Sequence, residues 1–442
     1  MSLVLPLPKT TAATSHSVLR RFAPLIIIQA FLWATVGLFA FGPWQWPMRT
    51  PDKLFGFLTG CNLAILVGYA MFAHVRPTQS KFADEPAKLI KLAIWTSILV
   101  IPITTYARTG KFVPDVIGSI LNPGQAYMEA HNFAANNTNA GAYIRILLSP
   151  VLVMVFPLAT FYWGRLHKRA KVGVVGISFA TVLLSVCTGQ RRDIADLLAT
   201  LPLLLAASNF AGVTVLSKRV IRRLTVGVLV FLACFLVYFS YSHISRVGAD
   251  TASYAANPAT QQQPDRNNWL LRLVPDSAQP GFLAFTGYLT TGYYGLSLCL
   301  DREHEPMYGF GHSMFLTRNF SRFSHDDGFE QRSLPYIISE KDGFKYPVYW
   351  CTAYPYFLND LGPIGTIALM FVFGALLAVT WSDVLGGRNP YAVVMFWMLA
   401  ILAFYLPATN RMLQDGEGVF AFYIWLFVYL RARRPMALKG NL

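Results

Sequence analysis

Three charged residues, Arg191, Arg192 and Asp193, stand between two long apolar runs in the stretch T-G-Q-R-R-D-I-A-D-L-L. A guanidinium group stays positively charged and can form two parallel hydrogen bonds with a phosphate. The two arginines therefore favour binding of a phosphate-containing ligand, with Asp193 holding one guanidinium while the other stays free. The alternative is a turn at a membrane surface, where long basic side chains extend towards water. The choice depends on what surrounds the two apolar runs.

Further arginines are candidates for the same ligand. Arg411 follows an apolar run in P-A-T-N-R-M-L-Q-D-G-E-G, and Arg318 lies in a long polar segment that precedes that run. Arg145, at the start of another run, can join them. None belongs to a nucleotide-binding motif, since the sequence has no G-x-x-x-x-G-K-[ST] loop.

Three residues are candidates for accepting a proton. His312 follows two glycines in Y-G-F-G-H-S, where the backbone can approach a ligand closely. Histidine is the most frequent general base, and a solvated loop histidine is the alternative. Asp360 and Glu417 are the candidate carboxylates. Asp360 can equally cap a helix that begins near Gly362.

The sequence contains no signal for a metal or a cofactor. It has no H-E-x-x-H motif, and its five cysteines lack the paired spacing of metal ligands. We therefore expect no metal and no cofactor. An enzyme that works outside the cytoplasm has no nucleotide triphosphates available, so its substrate must arrive already activated.

The composition indicates the surroundings of the apolar runs. Of 442 residues, 54% are hydrophobic and only 13% are charged, whereas soluble proteins carry about 25% charged residues. Several runs approach the ~20 apolar residues that span a bilayer. The net charge of +15 does not indicate nucleic-acid binding, because the aromatic residues lie in the runs and not among the basic residues.

The fold class predicted is an all-α polytopic membrane protein with about ten transmembrane helices. Short segments rich in Lys and Arg alternate with other connections, and such segments face the cytoplasm. This alternation holds through all ten spans and predicts that both termini are cytoplasmic. We predict the spans at roughly 23–42, 54–73, 89–106, 143–163, 172–188, 194–212, 224–244, 362–382, 391–409 and 419–431.

Three regions follow from this topology. Residues 1–244 hold spans one to seven, with a short periplasmic segment at 107–142 that contains a surface helix broken at Asn122-Pro123. Residues 245–361 form a large, partly helical periplasmic loop, and residues 362–442 hold the last three spans.

The large loop contains an apolar stretch and two cysteines. Its stretch 282–300 is apolar enough to span a membrane, but an extra span would invert the charge alternation. We therefore expect a helix that lies on the membrane surface or dips into it. Cys299 and Cys351 both fall in this loop, where a disulfide is one possibility.

With this topology, the chain resembles bacterial oligosaccharide repeat-unit polymerases, the Wzy-type polymerases of O-antigen and exopolysaccharide synthesis. The similarity rests on T-G-Q-R-R-D-I-A-D-L-L between two spans and on Y-L-T-T-G-Y-Y-G-L-S-L-C-L followed by Y-G-F-G-H-S. It rests also on Y-P-Y-F-L-N-D-L-G-P-I-G leading into a span, and on the GT-C-like plan of many spans with a large late loop. In this family the turn between the two spans more commonly has a single arginine. Either Arg191 or Arg192 can therefore correspond to that arginine.

The resemblance implies a glycosyltransferase in the bacterial inner membrane. Its donor and acceptor are oligosaccharides linked to undecaprenyl pyrophosphate, and a chain-length regulator protein is a candidate partner. Fixed arginines stabilise the pyrophosphate that leaves, without a metal. The residues that the resemblance assigns to pyrophosphate binding are Arg191, Arg192, Arg411 and Arg318. Those that it assigns to proton transfer in catalysis are His312, Asp360 and Glu417.

Two other functions remain as alternatives. O-antigen ligases, which transfer glycan to lipid A core, share much of the plan. A flippase or other transporter of lipid-linked oligosaccharides is the second alternative. A transporter is expected to carry charges in the middle of its spans, and Asp196 is the nearest exception in spans that otherwise lack them.

Overall fold

The fold is known from a computed structural model, which describes residues 18–80, 85–136, 140–190, 192–215, 217–247, 257, 259–303, 305–326, 328–346 and 348–435. The first half of the chain consists of helices joined by short connections. In chain order they are α1 (Val18–Phe41), α2 (Pro51–Phe72), α3 (Glu85–Thr109), α4 (Val116–Leu121), α5 (Pro123–Asn136), α6 (Ala140–Leu152), α7 (Val155–Phe161), α8 (Lys168–Cys187), α9 (Arg192–Phe210) and α10 (Lys218–Val247).

The second half is also helical, with short helices between α10 and the last three long ones. Two short strands, β1 (Thr78–Ser80) and β2 (Arg433–Pro435), pair antiparallel. The remaining helices are α11 (Trp269–Arg272), α12 (Gln279–Leu300), α13 (Met314–Ser324), α14 (Gly328–Gln331), α15 (Leu334–Asp342), α16 (Tyr354–Leu385), α17 (Pro390–Tyr405), α18 (Arg411–Gln414) and α19 (Gly416–Ala432).

Eight helices among the described residues are long and apolar enough to cross a membrane, with α6 and α7 forming one of them. They coincide with the predicted spans one to eight, and the chain is an all-α multi-pass membrane protein. Helices α17 and α19 fall at the predicted spans nine and ten. They have 16 and 17 residues, at or below the ~17 that reach across a bilayer. The count of ten spans therefore stays a prediction.

The long helices run between two ends of the bundle. At one end the start of α1 meets the end of α16, where Trp381 Nε1 donates to the carbonyl of Arg20 at 3.0 Å. The connection after α2 lies there too, since Ser382 Oγ donates to the carbonyl of Val75 at 2.7 Å. We call this the basic end. Its connections and helix termini carry Arg20, Arg21, Arg76, Lys88, Arg165, Lys168, Arg169, Lys171, Lys218, Arg219, Arg388 and Arg433.

A buried carboxylate ties the basic end together. Asp383 has no exposed side-chain surface and accepts hydrogen bonds from Thr78 N at 2.6 Å, Tyr429 OH at 2.7 Å and Arg433 Nε at 3.0 Å. These groups belong to α16, β1, α19 and β2. The segment after α2 and the segment after α19 are therefore held at one point.

Helices α2 and α16 pack along most of their length through a pair of glycines. A Cβ at Gly68 would lie 2.1 Å from the carbonyl oxygen of Phe371, and a Cβ at Gly374 would lie 2.2 Å from that of Ile65. Each glycine thus lets the backbone of the other helix approach directly, as small residues do between membrane helices. This contact fixes α16, and with it the residues that precede Gly362.

Helix α16 is broken at Gly362, where the backbone has φ 64° and ψ −177°. The sequence predicted a helix that begins near this glycine, and the break confirms the boundary. The eight residues before it form a short helical segment of their own, which the sequence did not predict. The break turns Asp360 towards the segment around His312.

Helix α12 contains the apolar stretch 282–300 and is not among the eight candidate spans. It packs along the connection between α1 and α2: Trp44 Nε1 donates to the carbonyl of Leu283 at 3.2 Å, and Trp46 stacks on Tyr294. A helix was expected here, and its place at the membrane surface stays a prediction. The break predicted at Asn122-Pro123 is confirmed, because α4 ends and α5 begins there.

Candidate functional site

Four arginines and four carboxylates meet at the end of the bundle opposite the basic end. They come from the end of α3, the start of α6, the start of α9, α18 and the start of α19. Apolar helices place these residues at their termini, so the charged groups converge without entering the apolar interior. We call the following residues the charge cluster: Arg108, Arg145, Arg192, Asp193, Asp196, Arg411, Asp415 and Glu417.

Arg411 lies at the centre of the cluster. Its Nη2 is 3.1 Å from Asp196 Oδ2 and 3.5 Å from Asp193 Oδ1, and its Nη1 is 3.7 Å from Asp415 Oδ2. Burial alone would lower the pKa of Arg411, but the three carboxylates more than offset this and raise the pKa above its ordinary value. Arg411 therefore keeps its charge in a largely buried position.

Arg192 and Asp193 point to different partners, although they are neighbours in the sequence. Arg192 Nη1 is 2.8 Å from Asp415 Oδ2. Asp193 Oδ2 is 2.8 Å from Arg108 Nη1 and accepts a hydrogen bond from Ser185 Oγ at 3.0 Å. We expected Asp193 to hold one of the two adjacent arginines. Arg192 instead pairs with Asp415, because α9 begins at Arg192 and its first turn directs the two side chains apart. Arg191 lies outside the described residues.

Arg145 is the most buried arginine of the cluster, with 6% of its surface exposed. Its Nη2 is 2.7 Å from Glu417 Oε2. Its Nε and Nη1 have no hydrogen-bond partner among the described residues. A buried N–H group without a partner costs about 1–3 kcal/mol, and more for a charged group. An anion beside Arg145 would remove that cost.

Two other arginines also keep unused donors. The Nε groups of Arg192 and Arg411 are buried and have no partner among the described residues. Together with Arg145, three guanidinium groups of one cluster thus present N–H donors that the surrounding carboxylates do not take up. The carboxylates hold the arginines in place, and an anionic ligand that enters the cluster would supply acceptors for the free donors.

Asp360 and His312 form a second group beside the cluster. Asp360 Oδ1 accepts from Gly309 N at 2.9 Å and from Gly311 N at 3.0 Å. Its Oδ2 accepts from His312 N at 2.8 Å and lies 3.1 Å from His312 Nδ1. Four N–H groups fill the acceptor positions of one carboxylate. Asp360 therefore holds and orients His312, and the geometry does not favour the predicted alternatives of a proton acceptor or a cap for α16.

The other ring nitrogen of His312 faces a tyrosine. Tyr423 OH lies 2.7 Å from His312 Nε2. The carbonyl of His312 accepts from Asn410 Nδ2, also at 2.7 Å, and Asn410 precedes Arg411. His312 therefore lies at the edge of the charge cluster.

The remaining predicted residues divide between the cluster and the large loop. Glu417 belongs to the cluster, where it pairs with Arg145. Arg318 does not: its Nε is 3.0 Å from Glu330 Oε1, between α13 and α14. The structure therefore places Arg318 outside the charge cluster, apart from Arg192 and Arg411, with which it was predicted to act.

Sequence reasoning missed Arg108 and Tyr423. Arg108 is the last basic residue of α3 and has no motif around it. The alternation of spans places the end of α3 on the same side of the membrane as the start of α9, but it does not show that the two helix ends are neighbours. Tyr423 lies within the apolar helix α19, where tyrosine resembles the many interfacial aromatic residues of membrane proteins. No sequence signal separates it from them.

A polar cleft of about 220 Å³ opens next to Arg108. The side chains that line it include hydroxyl, amide, amino and carboxyl groups from the end of α3, α4 and α5. The polar lining residues are Thr109, Lys111, Asp115, Ser119, Asn122, Gln125 and Glu129. Such groups can bind the hydroxyls of a sugar.

No group of three or more His, Cys, Asp or Glu residues is arranged to hold a metal ion in the described part of the chain. Cys299 and Cys351 are both buried and carry free thiols. Comparison of the chain with known protein families, with curated proteins and with solved structures finds no match. The chemistry of the charge cluster is thus the basis for the function proposed below.

Proposed function

We propose that the charge cluster binds the diphosphate of a lipid-linked oligosaccharide. The observation that carries this proposal is the set of buried, unpartnered guanidinium N–H groups on Arg145, Arg192 and Arg411. They lie at or near the ends of apolar helices, and the proposal places the headgroup of a membrane lipid at these helix ends. Guanidinium groups match the oxygens of a phosphate better than any other side chain.

The reaction that this site supports is glycosyl transfer. The protein is a glycosyltransferase that polymerises repeat units on undecaprenyl pyrophosphate at the periplasmic face of the inner membrane. A hydroxyl of the acceptor unit attacks the anomeric carbon of the donor chain, and the bond from that carbon to the pyrophosphate breaks. The leaving pyrophosphate gains negative charge, which positioned arginines stabilise in a site of low dielectric.

The carboxylates of the cluster orient the arginines before the ligand binds. Burial would raise the pKa of Asp415, but Arg192, Arg411 and Arg108 lower it below its ordinary value. Asp415 is therefore ionised at neutral pH and holds Arg192 in place. Arginines that are already oriented need little rearrangement when charge develops on the ligand.

The polar cleft next to Arg108 is the proposed site of sugar rings near the diphosphate. It is formed by the segment between α3 and α6, and Thr109 at its edge directly follows Arg108. In this arrangement the charge cluster and the cleft face the periplasm and the basic end faces the cytoplasm. Ten spans, two cytoplasmic termini and a periplasmic segment from 245 to 361 belong to the same proposal.

The test is polymerisation of a defined lipid-linked repeat unit by the purified protein in lipid nanodiscs. The wild-type protein should produce a ladder of lengthened glycans, and release undecaprenyl pyrophosphate. Arg145→Ala, Arg192→Ala and Arg411→Ala should each weaken binding of inorganic pyrophosphate. Loss of one charge-assisted hydrogen bond costs about 1.5–3 kcal/mol, or roughly 10- to 150-fold in affinity.

Arg318→Ala is the matched control, because Arg318 pairs with Glu330 outside the cluster. It should bind pyrophosphate like the wild type. Equal losses in the control and the three cluster variants would contradict the proposed site. A single transfer to a lipid A acceptor, without a ladder, would instead indicate a ligase. Movement of the lipid across a bilayer without new glycosidic bonds would indicate a transporter.

A further inference from the structure

A chain of hydrogen bonds leads from Asp360 through His312 to the surface of α19. His312 Nδ1 is 3.1 Å from Asp360 Oδ2, and His312 Nε2 is 2.7 Å from Tyr423 OH. The side chain of His312 is only 15% exposed, whereas Tyr423 is 44% exposed. Tyr423 is therefore the more accessible of the two side chains.

The contacts of Asp360 determine which atoms of His312 and Tyr423 carry protons. Its carboxylate already accepts three backbone N–H groups, from Gly309, Gly311 and His312. A carboxylate so surrounded stays ionised and accepts a further N–H, so Nδ1 of His312 carries the ring proton. In the neutral imidazole Nε2 is then the acceptor, and Tyr423 OH donates to it. No described residue donates to the Tyr423 oxygen, so its lone pairs are available to a donor from outside the protein.

Tyr423 lies close to the charge cluster along α19. It is seven residues from Gly416, which is two helical turns on the same face and a rise of roughly 10 Å. Gly416 packs against Phe315 of α13 and Ile146 of α6, the neighbour of Arg145. The inference places the first sugar of a diphosphate-linked chain along this face of α19, between the charge cluster and Tyr423.

We propose that Tyr423 is a catalytic residue that receives the proton of the acceptor hydroxyl, and that His312 acts through it. This inference rests on the proposed glycosyl transfer. As the acceptor oxygen forms its bond to the anomeric carbon, its proton moves to the Tyr423 oxygen, and the Tyr423 proton moves to His312 Nε2. The electron pair of the broken carbon–oxygen bond stays on the leaving pyrophosphate. The imidazolium, paired with Asp360, later returns its proton through Tyr423 to water or to the pyrophosphate.

The test compares Tyr423→Phe with the wild-type protein in the polymerisation assay. Phenylalanine keeps the ring but removes the hydroxyl, so kcat should fall by about 10²- to 10⁴-fold, the range of general base catalysis. KM for the lipid-linked repeat and the affinity for inorganic pyrophosphate should not change. His312→Ala should cause a similar loss, and the double variant should lose no more than either single one, because both act on one proton path.

Tyr241→Phe is the control, since Tyr241 donates its hydroxyl proton to the carbonyl of Leu121 away from this path. Its kcat should equal that of the wild type. A Tyr423→Phe protein with wild-type or higher kcat would overturn the inference, because His312 would then meet the acceptor directly. Losses that multiply in the double variant would overturn it as well.

The outcomes also separate this inference from the function on which it rests. If the wild type forms a ladder and the cluster arginine variants do not, but Tyr423→Phe does, only the role of Tyr423 is wrong. If the wild type forms no ladder and does not bind pyrophosphate, the proposed function is wrong and the role of Tyr423 with it. Size-exclusion chromatography of each variant in detergent excludes misfolding as the cause of a loss.

Discussion

Arg192 and Arg411 share a single carboxylate oxygen. Asp415 Oδ2 lies 2.8 Å from Arg192 Nη1 and 3.7 Å from Arg411 Nη1. The carboxylate reduces the repulsion between the two cations and fixes their separation, while the Nε group of each arginine stays without a partner among the described residues. Asp415 thus has two opposite effects on an anionic ligand. It orients the donors that bind the ligand, and its own charge repels it.

The variant Asp415→Asn separates these two effects. The amide keeps the size of the side chain and one acceptor oxygen, but it removes the negative charge. A unit charge about 6 Å away contributes roughly 3 kcal/mol at an effective dielectric constant of about 20, and partial exposure reduces that value. We expect the variant to bind inorganic pyrophosphate about tenfold more tightly by isothermal titration in detergent.

Glu330→Gln is the matched control for this change. It removes a carboxylate that is paired with an arginine, Arg318, outside the cluster. Its affinity for pyrophosphate should stay at the wild-type value. Weaker binding by Asp415→Asn would show that orientation of the arginines outweighs the repulsion.

The stability of the protein in acid should depend on the same carboxylate. The neighbouring arginines lower the pKa of Asp415 in the folded protein below its ordinary value of 3.8, against the effect of burial. A lowered pKa stabilises the fold fully above the ordinary value, and the contribution is lost as pH falls through the folded value. Between about pH 5 and pH 3, the melting temperature of the wild type should therefore fall more than that of Asp415→Asn. Parallel curves for the two proteins would contradict this expectation.

The long helices were predictable because their signals are local. An apolar run of sufficient length between basic segments defines a span, and α8 and α9 begin and end close to the predicted bounds on either side of the arginine turn. The break at Asn122-Pro123 has an equally local cause, since proline restricts the backbone of the residue before it. These features depend only on residues that are close in the sequence.

The partners within the site were not predictable in this way. Asp193 binds Arg108 and Arg411, which are 85 and 218 residues away, and Arg192 turns to Asp415. Such pairs depend on the packing of α3, α9 and α18, which the sequence of one chain does not specify. The same holds for His312, because its partner Tyr423 lies on a helix more than 100 residues away in the sequence.

Gly362 should be essential for the geometry of His312. Its backbone, with φ 64° and ψ −177°, lies in a region that residues with a side chain rarely adopt. Gly362→Ala should lower the melting temperature through a strain of about 1–3 kcal/mol. It should also reduce kcat, because the residues before the break position Asp360 against Gly309, Gly311 and His312. Gly227→Ala is the control, because a Cβ at this position of α10 meets no atom within 4 Å. It should leave kcat unchanged, and it should change the melting temperature only because alanine is a better helix former than glycine.

The crossing of α2 and α16 should tolerate no side chain at either of its two glycines. A Cβ at Gly68 or Gly374 would lie 2.1 or 2.2 Å from a backbone oxygen of the other helix, and a backbone cannot move aside as a flexible side chain can. We expect Gly374→Ala to separate the helices and to reduce the yield of monodisperse protein on size-exclusion chromatography. Gly56→Ala is the control on α2, because a Cβ there meets no atom within 4 Å. Membrane helices gain little from burial of apolar surface against one another, and close backbone contact supplies much of their association. A normal yield of Gly374→Ala would therefore show that α2 and α16 are held together elsewhere, at sites such as the buried Asp383 of the basic end.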